Sequence, residues 1–508
     1  MNRRVTSLGR STFASLVSAL MVAGTVNLGA MAAATSAAPN AAQTTTDVNG
    51  FQLKMPLIPV TQKFTLKNGM RVVFSEDHSA PVVATVLVYD VGARNEEKGR
   101  SGFAHLFEHM MFEGSENVAK TEHFKYVQSS GGSVNASTHA DFTNYFEKVP
   151  SNQLELALWL ESDRMRSLKV TAETFENQLQ TVKEEKRLRI DNQPYVPANL
   201  KLEETVFDNW ANAHPVIGSF DDLEASSVAD VRKFFKTYYA PNNAVLAIVG
   251  DFNPTQAKAF VEKYFASIPA QPLPTPPSFA EPAQTKEKYL KVEDKHAQMP
   301  AFWMAWKAPA RRQGDYYALG MIQKILGAGS SSRLYQRMVK GDQIALSAEC
   351  EYDERRGPGM FDIFTIFKPG TTAIQARDVV WDELNKLKTT PVSKVELDKV
   401  RNQILRDMFS AVSYLSLQRS LGRAELLAEY TSFFGDSSYL DKDIEGYLKV
   451  TPEDIQKAAQ RVFTKEGITV LDVIPTAKES KSAKPDETKG EAKSGSSTDA
   501  STKSGAAK

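Results

Sequence analysis

Three side chains close together in the chain carry the first sign of chemistry: His105, Glu108 and His109, in the run His105-Leu-Phe-Glu108-His109. On a helix, residues four apart leave the same face, so both imidazoles point one way. Two such nitrogens make half of a tetrahedral zinc site. Glu108 precedes the second histidine and stays within reach of a water at the open fourth position, where it would act as general base. The order H-x-x-E-H reverses H-E-x-x-H. Two histidines at helical spacing are also an ordinary polar face, so the assignment depends on the rest of a metal site.

A hydrolytic zinc site needs a third protein ligand. A helix expected at 172–191 offers Val182-Lys-Glu184-Glu185. Phe175, Leu179, Val182 and Leu188 mark its apolar stripe, and Glu185 falls on that stripe, three residues after Val182 and three before Leu188. Glu184 is turned away by about 100°. A carboxylate on an inward face is costly unless paired or bound to metal. Glu185 is therefore the expected ligand and Glu184 the fallback. The plainer alternative is a surface acidic pair bridged to Arg187 or Arg189. His78, His123, His214 and His296 have no metal-like neighbours, whereas His139 lies in a strand region near the motif and could approach a substrate.

These residues need elements to hold them. Phe64 to Phe74, with Asn68-Gly69 between alternating runs, predicts a hairpin whose two turn residues take positive φ. A strand near 82–91 precedes the motif helix, and Gly131-Gly132 opens a strand region running to Phe146. Helices are expected at 151–167, 172–191 and 228–238, and Asn243 to Gly250 reads as a buried strand. After a proline-rich stretch at 269–283 the expected order recurs: strand 301–306, helices 315–326, 394–408 and 452–463, strand 468–474. Matching order and lengths imply an internal duplication.

At 508 residues the chain is long enough for two domains. Lys plus Arg and Asp plus Glu both number 61, which gives no reason to expect nucleic acid or an anionic membrane surface as partner. Arg3, Arg4 and Arg10, an apolar stretch to about Leu28 and the Ala-x-Ala sites near Ala32 form an export signal. The expected location is the periplasm, with no stable membrane anchor after cleavage. The only cysteine, Cys350, is expected as a buried thiol. The expected division is a signal peptide at 1–34, a flexible lead-in at 35–50, a catalytic domain at 51–268, a linker at 269–284, a non-metal domain at 285–475 and a disordered tail at 476–508.

The chain resembles the pitrilysin/insulinase family of zinc metallopeptidases (inverzincins), especially its bacterial members similar to mitochondrial processing peptidase. The resemblance rests on Gly102-Phe-Ala-His105-Leu-Phe-Glu108-His109-Met-Met-Phe-Glu-Gly114, Gly131-Gly-Ser-Val-Asn135-Ala-Ser-Thr138, the Val182 to Glu185 segment and Tyr239-Ala-Pro-Asn-Asn243 with Val249-Gly-Asp-Phe252. Glu185 lies 76 positions after His109, which fits the family's spacing. It implies an α+β fold of two homologous domains, each an antiparallel sheet packed with helices, around a cavity. It also implies one Zn2+ per chain on His105, His109 and Glu185, with Glu108 as the base. An extended peptide would add to a sheet edge beside Asn135, Ala136 and Thr138.

Two departures from the family pattern matter. Many members carry a glutamate seven residues before the third ligand, where this chain has Gln178, which predicts a tuned site. Superposing the halves places Leu319, Ile322 and Gln323 where the motif stood, and Val339 and Leu346 where active single-chain relatives place an Arg/Tyr pair. The resemblance then implies the catalytic subunit of a heterodimer whose partner is a zinc-less homologue supplying that pair. The alternative is a non-catalytic peptide-binding subunit.

Overall fold

The computed structural model describes residues 43–410 and 416–476 of the chain. The leader read at 1–34 and the tail beyond Thr476 lie outside them. No helix among the described residues is long and apolar enough to cross a membrane.

The described chain begins with a small hairpin, β1 (Thr44–Val48) and β2 (Phe51–Met55). Its turn is Asn49-Gly50, with φ of 57° and 88°, the left-handed pair that a two-residue hairpin turn requires. The polar stretch read as lead-in thus ends in a strand. Asn68-Gly69 behaves differently from expectation. It connects β3 (Gln62–Thr65) to β4 (Arg71–Glu76), but the loop is longer and only Gly69 has positive φ. Asn68 instead donates its amide to the carbonyls of Phe265 and Ile268, anchoring the turn.

Two sheets form the body of the molecule. The first adds β5 (Val82–Tyr89), β6 (Ser133–Thr138), β7 (Thr143–Pro150) and β8 (Ala244–Gly250), in the order β3-β4-β8-β5-β7-β6. The second contains β9 (Lys288–Asp294), β10 (Ala301–Ala308), β11 (Ala345–Asp353), β12 (Gly359–Phe367) and β13 (Ile468–Pro475), in the order β11-β12-β10-β13-β9. Each is antiparallel except for one parallel pair, β4 with β8 and β9 with β13. Strands β4 to β8 match β9 to β13 in chain order, neighbours and direction, so the second half repeats the first. The fold is α+β with two domains, as the sequence predicts.

The halves exchange helices. Strand β8 is buried along its whole length because both faces are covered. Leu246 and Ile248 face the first half's own core, whereas Val245 and Ala247 pack with Ala424, Leu427 and Ala428 on the helix Ser420–Phe434 from the second half. Reciprocally, Ala198 and Leu202 on the helix Val196–Val206 pack on Trp303 of β10 and Leu471 of β13. Strands β6 and β11 occupy equivalent edges of the two sheets, and both line a cavity of about 1960 Å³ between the halves. Cys350 is buried on β11 as a free thiol.

Candidate metal centre

The motif occupies helix α1 (Phe103–Met110), the connection between β5 and β6. Phe103, Ala104, Leu106, Phe107 and Met110 are buried and leave His105, Glu108 and His109 on the cavity side. The helix start is set from outside. Gly102 has φ of 85°, and a Cβ there would come within 2.7 Å of the Ile217 carbonyl, so only glycine fits. The Glu96 carboxylate accepts hydrogen bonds from the amides of Gly102 and Ala104, and His214 Nε2 lies 3.0 Å from it. A carboxylate at this position satisfies orphan donors and favours the helix dipole.

Two further helices flank the β6–β7 hairpin: α2 (Glu122–Ser129) precedes β6, and α3 (Leu154–Ser167) follows β7. Helix α4 (Ala172–Lys186) then brings Glu185 to α1. Thr171 caps α4 by accepting from the amide of Thr174. After Lys186 the chain widens into a π-helical turn, Arg187–Asp191. This corrects the helix expected to run uniformly to 191. Leu188, placed on the apolar stripe by a constant 3.6-residue period, is 56% exposed because the wider turn rotates it outward. Glu184 and Glu185 separate as expected: Glu184 faces solvent and pairs with Arg187, while Glu185 turns into the site.

The donor atoms of His105, His109 and Glu185 all lie within 4.8 Å of one another. Oε2 of Glu185 is 3.2 Å from Nε2 of His109 and 3.8 Å from Nε2 of His105. The hydrogen-bond chain behind His109 fixes its tautomer. Gln178 donates its amide NH2 to Glu113, which can only accept while ionised, so its carbonyl oxygen faces His109 Nδ1 at 3.2 Å. Nδ1 must then carry a proton, and Nε2 is the nitrogen turned to Glu185. That is the arrangement in which a ligating histidine is held. Gln178, which departs from the family pattern, thus relays to a carboxylate one residue further back. The nitrogen and carboxylate donors at tetrahedral-site spacing fit a zinc ion.

Electrostatics agree with a cation site. Burial drives the His105 pKa down to about 3, helped by the neighbouring His109. Burial also opposes charge on His109, but its contacts with Glu185 and Glu108 outweigh this and hold its pKa above the ordinary value. Burial works against the Glu185 carboxylate too. The hydrogen bond from His109 and the charges of both histidines and Arg189 nevertheless pull its pKa down to about 2. Burial raises the pKa of Glu108, with His109 and a hydrogen bond from Thr138 opposing.

Of the residues expected to meet substrate, Asn135, Ala136 and Thr138 all line the cavity on β6. That strand pairs only with β7, so its other edge is unpaired among the described strands. The Thr138 hydroxyl, however, donates to Glu108 Oε2 at 2.6 Å. Sequence reasoning did not assign it that contact, although strand alternation puts Thr138 on the face of Ala136. His123, which the sequence left without metal-like neighbours, lies with Glu147 and Glu161 in a second group of donor atoms within 4.8 Å.

In the second half the helix Tyr316–Gly327 takes the place of α1. Leu319 and Ile322 are fully buried there, and Gln323 donates to the Cys350 carbonyl. Arg337 pairs with Asp342. The arginines of this half that line the cavity, Arg311 and Arg355, are bound to Glu429 and to Glu203 and Asp353.

Comparison with known proteins gives the family. Residues 71–217 match the insulinase (peptidase family M16) domain, and residues 226–404 match the peptidase M16 inactive domain. The chain is 29% identical over 429 residues to the zinc protease PqqE of Helicobacter pylori, covering 82% of this chain and 94% of that one. It is 24% identical over 356 residues to a probable mitochondrial-processing peptidase subunit beta of Arabidopsis thaliana, covering 68% of this chain and 66% of that one. The crystal structure of a protease from Helicobacter pylori superposes with a TM-score of 0.77 at 29% identity, covering 82% of this chain and all of that one. An H-x-x-E-H helix, an inward glutamate 76 residues on, a duplicated two-sheet fold and these matches together place the chain in peptidase family M16, the pitrilysin/insulinase family.

Proposed function

We propose that this chain is a zinc-dependent endopeptidase acting on extended or unfolded peptides, and that it is the catalytic subunit of a heterodimer. The observation that carries this reading is the convergence of Nε2 of His105, Nε2 of His109 and Oε2 of Glu185 beside Glu108, on a cavity that also contains a sheet edge unpaired among the described strands. One zinc ion on those three residues would polarise the scissile carbonyl and acidify water. Glu108, whose pKa burial raises above the ordinary carboxylate value, takes the proton from the attacking water and returns it to the leaving amine. Thr138 holds Glu108 through its second carboxylate oxygen. The main chain of β6 at Asn135 and Ala136 aligns the peptide by β-augmentation, which selects extended shape over side-chain identity.

The heterodimer rests on the second half. Its cavity arginines are committed to carboxylates, and the family resemblance puts Val339 and Leu346 where active single-chain relatives have an Arg/Tyr pair. A zinc-less homologue would supply that pair, and full turnover by the purified chain alone would overturn this part. The leader favours a periplasmic enzyme. The alternative, a peptide-binding subunit without activity, is decided by Glu108→Gln. We expect the variant to keep zinc and fold and to lose at least about a hundredfold in kcat. Unchanged activity would remove Glu108 as the base.

A further inference from the structure

The two oxygens of Glu185 have different neighbours. Oε2 faces both histidines, whereas Oε1 lies 2.8 Å from Nη1 of Arg189. Arg189 stands on the π-helical turn after α4 and lines the cavity. The neighbouring cations look elsewhere: Arg187 on the same turn pairs with Glu184 in solvent, and Lys186 at the end of α4 pairs with Asp191. Single π-turns inside helices recur at functional sites because they re-aim side chains. Here the widened turn sends Leu188 outward and leaves Arg189 over the carboxylate.

A carboxylate with both oxygens free can take two positions on a metal ion. A hydrolytic zinc site works with three protein ligands and one position left for water. An arginine hydrogen bond to one oxygen removes that freedom and is strong because both partners are charged. We propose that Arg189 is a positioning residue of the metal centre: by holding Oε1 it restricts Glu185 to ligation through Oε2 and keeps the water position open. This rests on the zinc reading above, and it gives Arg189 a role distinct from that of Gln178, which orients His109 from the other side.

Cobalt(II) is a suitable probe, since its visible absorption separates four-coordinate from five-coordinate sites without any substrate. The full chain loaded with cobalt is compared as wild type, Arg189→Ala and Arg189→Lys, with circular dichroism to verify folding and zinc-loaded samples for kinetics. Wild type and Arg189→Lys should share a strong four-coordinate spectrum. Arg189→Ala should show the weaker five-coordinate bands, and its kcat should fall about 10–100-fold with KM nearly unchanged. An unchanged spectrum in Arg189→Ala overturns the proposal whatever its rate. Equal loss of metal from both variants also overturns it, because Arg189 would then govern affinity alone. A folded wild-type chain that takes up no stoichiometric zinc or cobalt would overturn the metallopeptidase reading itself and the proposal with it.

Discussion

Among its described residues the first half of the molecule contains two histidine–glutamate clusters, each with donor atoms within 4.8 Å of one another, and only one is built as an open site. His105, His109 and Glu185 reach the cavity, with side chains 13%, 22% and 18% exposed. His123, Glu147 and Glu161 are enclosed, and a cation is already among them. Arg164 on α3 binds Glu161, approaches Glu147 at 3.7 Å and stacks over the rings of Tyr145 and Phe112. Thr85 donates to the remaining oxygen of Glu147. Burial, with Glu147 adding to it against the pull of Arg164, pushes the Glu161 pKa up to about 8, and burial pushes the His123 pKa down to about 3. Ligand type and spacing therefore do not define a metal site. What separates the clusters is whether the protein supplies the positive charge itself and whether one side stays open.

The largest test of that contrast removes the resident cation. Arg164→Met leaves Glu147 and Glu161 buried without compensation, and urea unfolding should show a loss of about 3–5 kcal/mol. A loss below about 1 kcal/mol would mean that Arg164 does not neutralise the cluster. At the open site, Thr138→Val removes a hydrogen bond to a charged acceptor, worth about 1.5–3 kcal/mol. Steady-state assays should show the loss in kcat with KM unchanged, and Thr138→Ser should recover it. A change in KM alone would return Thr138 to the peptide-contact role expected from sequence. Gln178→Ala should weaken zinc binding about 10–100-fold in chelator competition, the range for loss of a residue that orients a ligating histidine. Affinity equal to wild type would show that Glu113 and Gln178 do not set the His109 tautomer.

The smallest effect is in pH. The folded His123 pKa of about 3 lies below its ordinary 6.5, so the unfolded chain binds more protons between those values. Its contribution to stability is complete above pH 6.5 and declines as pH falls towards 3, by up to about 1.4 kcal/mol per unit. Glu161 acts in the opposite sense: its folded pKa of about 8 lies above the ordinary 4.5, so stability is lost as pH rises between them. Thermal melts from pH 7 to 5 should therefore have a shallower acid slope in His123→Asn than in wild type, and equal slopes would contradict the assignment of a neutral buried imidazole.

Much of this site is legible in the residues because its signals are local. The H-x-x-E-H spacing needs only one helix, and Glu185 is distinguished from Glu184 by one turn of α4. The limits arise where the period changes or partners are distant. Leu188 is misplaced by a helical period that the π-turn interrupts, and Arg189 loses its role for the same reason. The lead-in hides β1 because Thr44–Val48 has a single apolar residue and so no hydrophobic alternation, yet Asn49-Gly50 carries the turn signal there. Nothing local marks the exchange of Val196–Val206 and Ser420–Phe434 between the sheets, since neither segment's own sequence says which sheet it covers. Likewise His123 looks isolated in sequence because Glu147 and Glu161 reach it from β7 and α3.

The most direct measurement of the central claim is the metal content of the wild-type, Glu185→Gln and Glu161→Gln chains after equilibration with zinc and gel filtration. The account predicts one zinc per chain in wild type and in Glu161→Gln, and no stoichiometric zinc in Glu185→Gln. Zinc retained by Glu185→Gln, or lost from a folded Glu161→Gln, would contradict it.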